Sequence, residues 1–193
     1  MAITEPAVDH ADLATLEAGL TEVLQSPREA GRVELIVVRT EVEARKVVDQ
    51  ATLDADEGVV GDNWRARGNS HTPDGEADPE AQVTVMNARF ATLVAGSPDR
   101  RPIAGDQLYI DLDLSRENLP PGTLLEVGDA VLEVSSKPHT GCAKFLARFG
   151  KEALAFANSD RGRALSLRGI NTKVVRSGVV RTGDTVRKVP PSA

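Results

Sequence analysis

Cys142 is the only cysteine in a chain of 193 residues, and its neighbours are of the kinds that activate a thiol. It lies in KPHTGCAKF (137–145), after a strand-like run and at the start of a helix-like one. Thr140 is expected to be the N-cap, which places Cys142 in the first helical turn. Free N–H groups and the helix dipole favour negative charge there, and Lys137, Lys144 and Arg148 add positive charge. His139 can accept the thiol proton or stabilise the thiolate. Together these raise the thiolate fraction at neutral pH, the form that attacks sulfur and binds soft metals. An inert, buried cysteine packing as a small hydrophobe is the competing reading.

A second basic group follows in RGRALSLRG (161–169), with Ile170 and Asn171 after it. Arg161, Arg163 and Arg168 are candidate guanidinium forks for phosphate or carboxylate, and Asn171 is a candidate ligand contact beside them. Trp64, with Arg65 and Arg67, can stack on a flat ring. A solvated basic face and a tryptophan tucked against the domain account for the same residues. His10, His71 and His139 are widely spaced, with no HxxxH and no paired cysteines, so no zinc site is expected. The chain has no GxxxxGK phosphate loop, no GxGxxG after a strand and no GxSxG elbow.

The elements that must position these residues are mostly strands. Hydrophobic residues make up 40% of the chain but aromatics only 3%, so the core is expected to be Val, Leu, Ile and Ala, a bias that favours strands. Seven runs read as strands: 33–38, 82–87, 107–114, 123–128, 130–136, 172–178 and 185–189. In the third, Ile110, Leu112 and Leu114 alternate with Tyr109, Asp111 and Asp113, the pattern of a half-buried strand. Gly-Asp recurs at 61–62, 105–106, 128–129 and 183–184, and such pairs form turns. Gly128-Asp129, between two apolar runs, is expected to close a hairpin. Many short strands with turn signals predict a mainly β fold, a closed barrel or a sandwich.

Helices are expected at the periphery. Leu13, Leu16, Leu20, Val23 and Leu24 predict a helix over 10–25, capped by Asp9 and ended before Pro27. Residues 1–30 are taken as a helical extension and 31–193 as the barrel domain. Residues 141–158 read as two short helices divided at Gly150. Residues 61–81 are polar and rich in Gly, Pro and Asp, a loop long enough to be a lid.

The net charge of −6 speaks against nucleic acid as a partner. Its distribution is uneven: residues 134–193 hold 12 Lys and Arg against 3 Asp and Glu, and residues 1–133 hold 11 against 26. A positive surround at Cys142 draws anions; mutual pairing of the two portions explains the asymmetry equally well. No run of 18 apolar residues is present, so no membrane-spanning helix is expected. A single cysteine cannot form an internal disulfide, and the N-terminus has no basic start followed by an apolar run. The expected location is the cytoplasm.

Read together, VVGDNW (59–64), QVTVMN (82–87), the turn Gly105-Asp106-Gln107-Leu108, LPPGTLLEVGDAVLEVSSKPHTGCAKF (119–145), RALSLRGI (163–170) and VRSGVVRTGDTV (175–186) resemble the MOSC family, named from the C-terminal domain of molybdenum cofactor sulfurases. The resemblance runs from about Gly31 to the C-terminus. It implies a closed β-barrel like that of the pyruvate kinase barrel domain, with a few peripheral helices. It maps the family cysteine onto Cys142, either as a persulfide carrier or as a ligand to molybdenum in a pterin cofactor. His139 would share the catalytic role. Lys144, Arg148, Arg163, Arg168, Asn171, Trp64 and Arg65 would hold the anionic or ring-bearing parts of the ligand.

The family's common GENL turn reads GDQL here. The pyridoxal-phosphate desulfurase domain of full-length sulfurases has no counterpart, and no lysine is a defensible Schiff-base residue. A sulfur-carrier role would therefore need a separate cysteine desulfurase. Two further functions fit the resemblance: a non-catalytic module binding an anionic small molecule, and a molybdenum-dependent reductase component for N-hydroxylated compounds, working with a redox partner.

Overall fold

A computed structural model describes residues 10–70 and 72–189. Its strands are β1 (Ala30–Val38), β2 (Lys46–Val48), β3 (Gln50–Asp54), β4 (Gly58–Val59), β5 (Val83–Asn87), β6 (Leu108–Asp111), β7 (Leu124–Val127), β8 (Ala130–Val134), β9 (Ile170–Arg176), β10 (Gly178–Arg181) and β11 (Thr185–Lys188). Seven of them close a mixed barrel in the order β1-β11-β7-β8-β9-β5-β6 and back to β1. Only β5 and β6 run parallel; the other barrel pairs are antiparallel. β2 extends the sheet from β1. Closure leaves no free barrel edge for another chain to pair with.

Period-two alternation turns one face of each strand into the barrel. Val83 and Val85 of β5, Ile110 of β6, Leu125 and Val127 of β7, and Ala130, Leu132 and Val134 of β8 meet inside. No aromatic residue belongs to that cluster. In β1 a register shift between Val33 and Leu35 lets both Val33 and Ile36 face inward despite their odd spacing. The strand at 107–114 is not half-buried as its alternation predicts. Tyr109 points out of the barrel yet is fully buried, because helices cover that face.

Those helices form a second core. Helix α1 (Leu13–Leu24), helix α3 (Ala88–Ala95) and helix α4 (Ala143–Asn158) pack Leu16, Leu20, Phe90, Val94, Phe145 and Phe149 over Met86 and Tyr109. Aromatics thus cluster outside the barrel, where wider gaps suit them. Asp12 caps α1, accepting from the Thr15 amide at 2.8 Å; Asp9 lies outside the described residues. Leu13 and Leu24, expected on the apolar face, are half exposed. Helix α4 breaks at Gly150, as expected.

The four Gly-Asp pairs are turns, with positive φ at Gly61, Gly105, Gly128 and Gly183. Gly128-Asp129 joins β7 to β8 with Val127 opposite Ala130. The sequence reading assigns neither α3 nor the small sheet β10-β3-β4, whose Ala51, Leu53, Val59 and Val180 complete the barrel core. The stretch 61–81 contains a short helix, α2 (Trp64–Arg67), and a 3-10 turn at Pro79–Ala81.

Candidate functional site

Cys142 is exposed. It is itself the N-cap of α4, with extended backbone, rather than a first-turn residue capped by Thr140. The Leu146 amide donates to its carbonyl at 3.0 Å. The thiol lies on a cavity of about 240 Å³ lined also by Arg39, Arg45, Arg67, Lys144, Arg148 and Arg168, with His139, Asn63, Glu41 and Glu43. Six cations face two carboxylates around this opening.

Arg39 and Arg168 are placed by long-range contacts to acids of two Gly-Asp turns. Arg39 follows β1 and is held by Asp62 of the first Gly-Asp turn, Nη2 to Oδ1 at 2.7 Å and Nε to Oδ2 at 2.9 Å. Asp62 Oδ1 also accepts from the Trp64 amide at 2.9 Å, which fixes the start of α2. Arg168 follows α5 (Asp160–Ala164) and donates through Nη1 to both oxygens of Asp106, at 3.0 and 2.7 Å. Its guanidinium stands 5.2 Å from the centre of the Phe145 ring, a cation–π contact.

Burial raises the Asp106 carboxyl above its ordinary range, while Arg168 pulls it back down. The GDQL turn therefore does structural duty through both polar residues. Gln107 Oε1 accepts from the Thr84 amide and hydroxyl at 2.8 and 2.6 Å.

The His139 side chain is 16% exposed, and its buried Nδ1 lies 3.6 Å from Asp106 Oδ1, too far for a hydrogen bond. Burial first, then Arg168 and Arg39, hold its imidazole well below the usual histidine range, so it is neutral. Gly169 permits this approach. It has φ +111, and a Cβ there would meet the Val85 carbonyl oxygen at 2.4 Å and His139 Nδ1 at 3.4 Å.

On the opposite wall Glu43, itself at positive φ, binds three cations of the cavity. Its carboxylate contacts Arg148 Nη2 at 2.7 Å, Lys144 Nζ at 3.2 Å and Arg45 Nη2 at 3.6 Å. Hydrogen bonds from Arg148 and then Lys144 hold its pKa down at about 2. Arg148 and Arg45 converge over Gly105, where a Cβ would meet Arg148 Nη1 at 3.1 Å and Arg45 Nη2 at 3.5 Å.

Five buried side-chain polar atoms lack a hydrogen-bond partner among the described residues: Arg45 Nε, Asn63 Oδ1, His139 Nδ1, Arg168 Nε and Tyr109 Oη. Four of the five belong to residues lining the Cys142 cavity. Buried polar groups are almost always paired, so this concentration singles out the cavity as the candidate site.

The predicted residues divide. Cys142, His139, Lys144, Arg148 and Arg168 come together here. Arg163 and Asn171 line an adjoining cavity that shares His139 and Arg168, and Asn171 Nδ2 donates to the Lys137 carbonyl at 3.1 Å. The structure does not bring Trp64 or Arg65 to either. Trp64 is buried beside Gly58, and Arg65 is exposed with Nη1 on the Asp56 carbonyl at 3.3 Å. Arg39, Arg45, Asn63, Asp106 and Glu43 were not among the expected residues. Among the described residues no group of three His, Cys, Asp or Glu side chains is placed to hold a metal ion, and no helix is long and apolar enough to cross a membrane.

The closed mixed barrel, with a cysteine and a cationic cavity between its turns and an outer helix, corresponds to a known class. The family model for the MOSC domain matches residues 62–187. The chain belongs to the MOSC domain family, which is associated with molybdenum-cofactor-related functions.

Solved structures agree on the fold. The YuaD protein from Bacillus subtilis superposes with a TM-score of 0.59 at 19% identity, over 81% of this chain and 94% of that one. YiiM from Escherichia coli gives 0.54 at 19% identity, over 84% and 71%. YiiM from Geobacillus stearothermophilus gives 0.53 at 15% identity, over 82% and 75%. No curated protein matches the chain significantly.

Proposed function

We propose that the Cys142 cavity holds a molybdenum-pterin cofactor, with cations of the cavity on its anionic part and the Cys142 thiolate as a soft ligand to the metal. The observation that carries this reading is the convergence of four unpartnered buried polar atoms on a cation-lined cavity that also presents the thiol. Arg45 Nε and Arg168 Nε are donors only, and a buried donor left unmade costs about 1–3 kcal/mol. An anionic group is what such donors fit. Arg45, Lys144 and Arg148 would hold the anion, displacing the Glu43 carboxylate they now bind.

When bound, the cofactor supplies metal-centred redox or sulfur chemistry. The chain's own contribution is to orient and shield it. Neutral His139 can hold or release a proton at Nδ1, and the buried Asp106–Arg168 pair fixes the wall that carries it. Reduction of N-hydroxylated compounds by such a site would need a separate redox partner.

The exposure of Cys142 favours a second reading, persulfide transfer. The thiolate would attack the outer sulfur of a persulfide on a separate cysteine desulfurase. A new S–S bond forms on Cys142, the donor's S–S bond breaks, and the donor cysteine leaves as thiolate.

Expression in a host that makes molybdenum cofactor, followed by native mass spectrometry and metal analysis, tests both. Bound pterin with molybdenum, and loss of the metal in Cys142→Ser, would support the first. One extra sulfur atom on the Cys142 peptide would support the second. Finding neither would leave a module that binds anions without thiol chemistry.

A further inference from the structure

The adjoining cavity, about 180 Å³, meets the Cys142 cavity at His139 and Arg168 but is built differently. No carboxylate lines it. Two of its four cations are already neutralised: Lys137 by Asp78 and Arg168 by Asp106. Arg116 and Arg163 are not. Glu117, the nearest carboxylate in sequence to Arg116, is taken by Arg28 at 2.9 Å. Among the described residues no carboxylate forms an ion pair with either arginine.

The two are held on neighbouring segments, since the Arg116 amide donates to the carbonyl of Ala164, the residue after Arg163, at 2.9 Å. The rest of the lining is split between hydroxyls at Ser136 and Ser166 and an apolar surface of Leu119, Pro121, Val134 and Ile170. Ser166 sits at φ +50, a conformation that L side chains rarely adopt. The strain lies on the loop that carries Arg168 and Gly169 into the wall between the cavities.

We propose that this cavity is a second ligand site, for an organic phosphate monoester with a compact apolar body. Two guanidinium groups without counterions match the double negative charge of a phosphate monoester and its planar pairs of oxygens. The apolar surface takes the ester group, and the hydroxyls take the remaining phosphate oxygen. The site does not depend on what Cys142 carries. It places its occupant against His139 and Arg168, the two residues it shares with the Cys142 cavity.

The test is a titration of the full chain with phenyl phosphate and with inorganic phosphate, followed by amide chemical shifts in NMR. Phenyl phosphate is expected to shift the amides of Gly162, Gly169 and Asn171, and to bind about tenfold more tightly there than inorganic phosphate because its ring is buried. The double variant Arg116→Ala/Arg163→Ala is expected to weaken those shifts by about tenfold or more. Both arginines are exposed, so the fold is retained. Shifts at Gly105 and Ala44, reporting the Cys142 cavity, persist in that variant. Absence of shifts at Gly162, Gly169 and Asn171, equal affinity for the two phosphates, or an unchanged double variant would each overturn the proposal. Cys142→Ser leaves the shifts at Gly162, Gly169 and Asn171 unchanged, so failure of molybdenum or sulfur chemistry is read separately.

Discussion

Arg168 donates both of its carboxylate contacts to Asp106 through one nitrogen, Nη1, and leaves its Nε buried without a partner. The pair is thus only partly satisfied. One half anchors the wall of the cavity, and the other half leaves a donor without an acceptor. Asp106→Asn removes the counter-charge of a nearly buried guanidinium and is expected to destabilise the fold by about 3–5 kcal/mol in chemical denaturation. Arg168→Met removes the charge but leaves Asp106 alone, and burial then favours its protonated form. Its destabilisation is expected to grow as pH rises above the ordinary aspartate value of about 3.9. A loss under about 1 kcal/mol in both variants would show that the pair does not hold the wall.

Glu43 occupies three of the cations that line the cavity. Its pKa of about 2 means that it stays ionised through the physiological range, so pH does not release it. Glu43→Gln removes the competing charge and keeps the shape. The affinity of the cavity for molybdate or phosphate is expected to rise several-fold, with a stability change within about 0.5 kcal/mol because the side chain is half exposed. Calorimetric titration measures the first and urea unfolding the second. Equal or weaker anion binding in the variant would mean that Glu43 does not compete.

His139 gives a pH dependence of defined sign. In the unfolded chain it takes up a proton near its ordinary value, about 6.5. In the folded protein burial and the arginines hold it neutral well below that. The unfolded state therefore binds more protons below about pH 6.5, and stability is full above that value and declines as pH falls, by up to about 1.4 kcal/mol per pH unit. His139→Gln is expected to flatten this decline. Saturating phosphate is expected to flatten it too, since an anion beside Nδ1 favours the imidazolium. Urea unfolding between pH 5 and pH 8, at about half-unit steps, would detect either effect.

The barrel was legible because its physics is local. All seven strands read from the sequence became the seven strands of the closed barrel, since each is a short run rich in apolar residues. The four Gly-Asp turns were legible for the same reason. The cavity was half legible. Cys142, His139, Lys144 and Arg148 sit within a dozen residues of one another, whereas Arg39 and Arg45 come from the acidic portion, where an unfavourable net charge hides single cations. Their placement depends on Asp62 and on the loop after β1, pairings between segments that no local pattern reveals. The signal present was RTEVEARK (39–46), alternating charges directly after a strand. Helix α3 was missed although Asn87 caps it and Gly96 ends it at positive φ. The charge asymmetry had two explanations, and both apply. Lys137, Arg168, Lys173 and Lys188 pair with acids of the first portion, while Lys144 and Arg148 also line the cavity.

Cys142 stands where stability alone would choose another residue. It is the N-cap of α4 with an extended backbone, yet its side chain makes no capping hydrogen bond. Serine at such a position accepts from an N2 or N3 amide and is among the best caps. Cys142→Ser is therefore expected to leave stability unchanged or raise it by up to about 1 kcal/mol, while abolishing molybdenum retention or persulfide formation. A residue kept for packing would behave in the opposite way, because replacing a buried thiol by a hydroxyl costs stability. The thiol is exposed, so iodoacetamide is expected to label it in the folded protein without prior unfolding. Saturating phosphate is expected to slow that labelling by filling the cavity beside it. Destabilisation by serine above about 1 kcal/mol, or labelling only after unfolding, would return Cys142 to a structural role.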